Sequence, residues 1–218
     1  MNSSVSKFSP AKINLFLEVI KKRKDGYHEI ESLMTFCNHG DYVSVKKSPK
    51  YCLDIVGPFS QFLKNEENLI TKAKCKLEEL YRKELNVKVL LEKNLPISSG
   101  MGGGSSNTAT FIKCMNELFK LKEHNKLNEL LLSLGADVPF CFHGKTALVS
   151  GIGENIEYIG KIYEYYVLLV NPMIEISTKE IFENLKIKDK NTKNLSPKSF
   201  KSKIKINYLL DRSNDLES

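Results

Sequence analysis

Tryptophan is absent from these 218 residues, and cysteine is scarce. The five cysteines, Cys37, Cys52, Cys75, Cys114 and Cys141, are odd in number and scattered. None are spaced as CxxC, so neither a zinc site nor a thioredoxin-like motif is supported. Reduced, buried thiols in a cytosolic protein are the expectation. No apolar run approaches the ~18 residues that a membrane-spanning helix needs. Residues Met1 to Pro10 lack the apolar core of a signal peptide. No HExxH motif or His/Cys cluster occurs, which argues against a protein-held transition metal. Glycine (12) and proline (7) are too few for collagen-like or low-complexity chains, and no internal repeat is visible.

What is present is the composition of a globular protein, 41% hydrophobic and 27% charged. Lys and Arg number 33 against 26 acids, a net +7. The whole excess lies between Lys186 and Leu210, which hold eight lysines and one acid, Asp189. The rest of the chain is balanced. A nucleic-acid face would draw positive charge from several elements. The local excess reads instead as a solvated linker or edge, so no nucleic-acid partner is expected.

Strand patterns come early. Ala11 to Ile20 alternates, with Ile13, Leu15, Leu17 and Val19 on one face and Lys12, Asn14, Phe16 and Glu18 on the other. Asp25-Gly26 marks a turn, followed by Tyr27 to Phe36 and strands at Tyr42 to Val45 and Tyr51 to Val56. Asn68 to Tyr81 has helical spacing and Leu85 to Leu91 alternates again. Ser105 to Leu121 and Lys126 to Leu134 read as helices, the second stopped by Gly135. Thr146 to Ser150 and Tyr165 to Val170 read as strands, and Thr178 to Leu185 as a short helix. Clustered strands followed by helices predict an α+β fold rather than a doubly wound sheet.

The sharpest feature is the segment Pro96, Ile97, Ser98, Ser99, Gly100, Met101, Gly102, Gly103, Gly104, Ser105, Ser106. It follows a strand and opens a helix. Glycines let the backbone turn tightly and approach a ligand. Free N–H groups at a helix start favour an anion. Ser105 and Ser106 add hydroxyls for phosphate oxygens or for a phosphate-bound Mg²⁺. A Walker A loop requires a lysine after the last glycine, where Ser105 stands. The dinucleotide and protein-kinase patterns require a glycine at that same position. A polyphosphate cradle of another kind is the functional reading; a turn with a helix cap is the bland one.

Polar candidates lie on either side of this loop. Lys12 and Asn14 share a strand face; in isolation such a lysine is expected to point to solvent. Asp137 lies between a helix stop and an apolar run, where an acid needs a partner or caps a turn. Tyr27 and His28 could stack on and hydrogen-bond a base, or be packed residues of the fold.

Taken together, Pro10-Ala11-Lys12-Ile13-Asn14-Leu15, Asp25-Gly26-Tyr27-His28, the glycine loop and Leu134-Gly135-Ala136-Asp137-Val138-Pro139 resemble the GHMP small-molecule kinases. The motifs occur in the family's order. The match is closest to the branch that phosphorylates the 2-hydroxyl of a cytidine-diphospho alcohol on the non-mevalonate route to isoprenoids. The resemblance implies ATP with Mg²⁺, and a cytoplasmic enzyme with a small-molecule substrate. Pro96 to Ser106 would be the ATP phosphate loop, with Asn68 and Lys93 near the adenosine. Lys12 and Asp137 would be the catalytic pair and Asn14 a substrate contact. Tyr27, His28 and Phe182 would hold the cytosine. The implied fold is an S5-like ATP domain over 1–160, then a ferredoxin-like domain over 161–218.

One family motif has no counterpart. The last glycine is Gly160, so a late glycine-rich motif of the second domain is missing. The second domain is therefore expected to be incomplete, with exposed apolar surface and reduced activity. Two other readings stay open: another GHMP kinase, acting on homoserine, mevalonate or a sugar, and an S5-like RNA-binding module using the lysine stretch.

Overall fold

The structure, a computed structural model, describes residues 4–63, 68–159, 162–172, 174, 178–185, 209 and 211–217. The chain divides into two compact units, one of Met1–Ala11 with Cys37–His143 and one of Lys12–Phe36 with Gly144–Ser218. The expected boundary at Gly160 and the lysine stretch from Lys186 to Lys205 lie outside the described residues.

Six strands and five α-helices make a mixed α+β fold among the described residues. Strand β1 (Ser4–Lys22) pairs with β2 (His28–Lys47), and each contributes to both units. Strand β2 is continuous where the sequence suggests separate segments, because it finds partners along most of its length. Ile30 to Met34 pair antiparallel with β5 (Ala147–Gly151). Tyr42 to Lys47 pair antiparallel with β4 (Val87–Glu92). Strand β3 (Cys52–Val56) runs parallel to β4, and β6 (Asn155–Tyr158) antiparallel to β5.

In the first unit the inward residues of the sheet, such as Val43, Val45, Val89 and Leu91, are buried. They share that core with buried residues of three helices, α1 (Leu69–Tyr81), α2 (Gly103–Phe119) and α3 (Leu127–Leu134). Helix α1 follows from its pattern: Ile70, Ala73 and Leu77 recur at helical spacing and are all buried. Its start is set by Asn68, whose Oδ1 accepts from the N–H of Ile70 at 2.9 Å. Helix α2 is apolar enough to be covered on most sides, with Phe111, Ile112 and Met115 fully buried. Helix α4 (Val138–His143) was not expected; Pro139 in its first turn is compatible with a helix start.

In the second unit Phe16, Leu33 and Leu148 form a small core with Leu15, Ile159 and Ile162 against it. Here β1 departs from the expected half-buried strand. Lys12, Phe16 and Glu18, on its polar face, are buried. The cover on that face includes residues 212–215. Arg212 pairs with Glu18 at 2.7 Å and lies over the Phe16 ring, 5.3 Å from its centroid. Leu17 N–H donates to Ser213 O and Val19 N–H to Asp215 Oδ2. A strand covered on both faces buries its polar residues when partners meet them.

Two other expectations fail. Tyr165 to Val170 joins no ladder among the described residues, and Leu168 and Val170 stand 88% and 83% exposed. An apolar run becomes a strand only where an edge offers it hydrogen bonds. The cysteines are free but not uniformly buried: Cys114 and Cys141 are inside, while Cys52 and Cys75 are exposed. Thr178–Asn184 forms helix α5, as the pattern suggests.

Candidate active site

The glycine loop is built from a strand end, a tight turn and a helix head. Ser99 Oγ donates to Pro96 O at 3.0 Å, closing the turn. Gly100 (φ 72°) and Gly102 (φ 63°) are left-handed, where a side chain would strain the backbone. Gly102 is the N-cap, so α2 begins inside the glycine run, two residues before the expected start. Ser106 N–H to Gly102 O, at 2.8 Å, is the first intrahelical bond. The N–H groups of Gly103, Gly104 and Ser105 precede it and belong to the helix end that attracts anions. Ile97, Met101 and Ser105 are half-buried, while Ser98, Gly100 and Gly104 are exposed.

The two serines at the head of the helix differ. Ser106 is turned inward: its Oγ is 3.0 Å from Ser9 Oγ, and Ser9 also donates to Asn107 Oδ1 at 2.8 Å. That hydroxyl is engaged inside the fold. Ser105 stays half-buried, with its Oγ 3.9 Å from where a Cβ on Gly135 would stand. The Gly135-Ala136-Asp137 segment therefore runs beside the head of α2. Asp137 directly precedes α4, and its carbonyl accepts the N–H of Cys141 at 3.0 Å.

Lys93 is 3% exposed at the end of β4, and its ammonium lies 2.6 Å from Asp41 Oδ2. Burial pushes its pKa down, against the pull of Asp41. A Cβ on Gly103 would stand 3.2 Å from Lys93 Nζ, so the cation sits against the first residue of α2. Asn68, at the head of α1, uses its side-chain oxygen as the cap described above.

The second unit holds the other candidates. Lys12, 7% exposed, donates from Nζ to Asn14 Oδ1 at 2.8 Å. Asn14 Nδ2 donates to Ser32 Oγ at 2.7 Å, and Ser32 donates to Phe16 O at 2.6 Å. These bonds fix the orientation of the Asn14 amide. Tyr27 is 60% exposed beyond the Asp25-Gly26 turn. His28 stacks on Phe182, with ring centroids 5.2 Å apart and planes at 28°. Burial, then the charge of Lys22, lowers the His28 pKa and favours the neutral ring.

Thus Lys93, the loop and Asp137 belong to the first unit, and Lys12, Asn14, Tyr27, His28 and Phe182 to the second. Sequence reasoning missed Ser9, Ser32 and Asp41. The first two carry no local signature. The lone acid in Gly40-Asp41-Tyr42, entering an apolar strand, is a signal of a buried charge in need of a partner.

Residues 68–145 match the family model of the GHMP kinases N terminal domain. A 4-diphosphocytidyl-2-C-methyl-D-erythritol kinase of Chelativorans sp. is 38% identical over 96% of this chain and 72% of its own length. One from Colwellia psychrerythraea is 39% identical over 90% of this chain, which spans 65% of that relative. The crystal structure of a 4-(cytidine 5'-diphospho)-2C-methyl-D-erythritol kinase superposes with a TM-score of 0.71 at 26% identity, covering 98% of this chain and 76% of that one. Among the described residues no helix is long and apolar enough to cross a membrane.

Proposed function

This chain belongs to the 4-diphosphocytidyl-2-C-methyl-D-erythritol kinases of the GHMP family, and on that premise we propose that it transfers a phosphoryl group from ATP to the 2-hydroxyl of that alcohol. The observation that carries the reading is the head of α2. Three N–H groups precede the first helical bond, left-handed glycines leave the backbone open to close approach, and the Lys93 cation lies against the first turn. Such a site suits a polyphosphate, and phosphoryl transfer depends mainly on positioning and charge stabilisation.

The roles follow from side-chain chemistry. The Asp137 carboxylate would orient the substrate hydroxyl and accept its proton. Lys12 would stabilise negative charge on the transferring group, with Asn14 holding the Lys12 ammonium and contacting the alcohol. His28, Phe182 and the exposed Tyr27 are flat surfaces suited to a pyrimidine ring. Ser105 fits Mg²⁺ as a single hydroxyl ligand, since Mg²⁺ keeps waters and phosphate oxygens as its other ligands. Ser106 fits it poorly, because its hydroxyl faces Ser9. Bound Mg²⁺ would neutralise charge on the phosphates.

The test is phosphorylation of 4-diphosphocytidyl-2-C-methyl-D-erythritol by the 218-residue chain with ATP and Mg²⁺, followed by ADP release and product mass. Asp137→Ala and Lys12→Ala should each abolish transfer while leaving the circular dichroism spectrum unchanged. Near-normal turnover in purified Asp137→Ala would refute the assignment.

A further inference from the structure

We infer that Asp41 is a positioning residue for the nucleotide, fixing the entry of the glycine loop and holding the Lys93 ammonium against the head of α2. The inference rests on the reading of residues 96–106 as the phosphate site.

Asp41 is fully buried in β2. Its Oδ1 accepts from the backbone N–H of Asn94 at 2.6 Å and of Leu95 at 2.8 Å. Its Oδ2 accepts from Lys93 Nζ at 2.6 Å. One carboxylate thus grips three consecutive residues, and the loop begins at the next one, Pro96. The Lys93 backbone is held from another side, its N–H donating to Val56 O at 2.8 Å and its carbonyl accepting from Phe59 at 3.3 Å. The ammonium has little freedom: its side chain is 4% exposed, and Gly103 leaves room for it.

The electrostatics give this arrangement a purpose. A cation beside the positive end of a helix is unfavourable by itself. A fully buried carboxylate offsets it and keeps the charge in place. A phosphate group arriving at the N–H groups of Gly103 to Ser105 would meet the helix end and the Lys93 charge together. Removing Asp41 takes away the counter-charge, leaving a buried ammonium free to lose its proton or its position.

Asp41→Asn keeps an oxygen for the two backbone N–H groups and removes the charge. Calorimetric titration with a non-hydrolysable ATP analogue should show the dissociation constant rising about tenfold. The KM for ATP should rise in parallel, while the KM for the cytidyl alcohol stays within about twofold. A purely structural role would instead move both KM values and kcat together. If Asp41→Asn does not fold, the double variant Asp41→Asn/Lys93→Met removes both charges at once and should show the same loss of analogue affinity. Wild-type-like analogue affinity in whichever of these variants folds overturns the inference. Failure of the wild-type chain itself to bind the analogue overturns the phosphate-loop reading and this inference with it.

Discussion

Ser9→Ala removes one oxygen far from the loop glycines in sequence, yet it should be felt at the head of α2. Ser9 is fully buried, and its hydroxyl serves Ser106 Oγ and Asn107 Oδ1, both almost completely buried. Deleting it leaves two buried polar atoms without that partner. Leaving a buried acceptor unsatisfied costs about 1–3 kcal/mol. Ser106 can turn its own hydroxyl elsewhere, so most of the loss falls on Asn107, about 2 kcal/mol. In a chain of this size each kcal/mol lowers the Tm by about 2–4 °C, so a drop of about 4–8 °C is expected. Thermal unfolding followed by circular dichroism measures it. The diagnostic partner is Ser9→Ala/Asn107→Leu, which removes the orphaned acceptor as well and should recover at least half the loss. A single variant that melts within about 1 °C of the parent, or a double variant no better than the single, would show that the bond carries no such weight.

Three further outcomes follow from the second unit. Because its folded pKa is lowered, His28 should titrate below 6.5 by NMR; its contribution to stability is full above that value and is lost as pH falls through the lowered one. Phe182→Ala should raise that midpoint toward 6.5 by readmitting water, and an unchanged midpoint would count against the stacking. Ser32→Ala frees the Asn14 amide and should raise the KM for the cytidyl alcohol about three- to tenfold with the KM for ATP unchanged. Equal shifts in both constants would mean general loosening rather than loss of Asn14 orientation.

Much of the fold was legible because local rules agree with it. The spacing of Ile70, Ala73 and Leu77 and the cap at Asn68 define α1 without tertiary help. Gly135 after Leu134 ends α3 as expected. Strand pairing was less legible. Continuous β2 and Tyr165 to Val170, which joins no ladder among the described residues, differ in the partner edges they meet there, and neither alternation nor propensity reports that. The site was read through its motifs, while the partners that hold those motifs in place could not be assigned, even where Asp41 carried the signal of a buried charge. Asp41 meets Asn94 across 53 positions and Ser9 meets Asn107 across 98.

The sequence by itself determined the chemistry on offer: a loop of glycines and serines between strand and helix, a lysine and an asparagine two residues apart on a strand, and an acid after Gly135. These are properties of residue type and short spacing, and turns, caps and alternation are decided within a few residues. Tertiary structure decided which of those groups are free to act. It buried Lys12, turned Ser106 inward while leaving Ser105 at the head of the helix, and set the Lys93 charge between Asp41 and Gly103. Those outcomes depend on desolvation and on partners from distant segments, which become neighbours only when the chain folds.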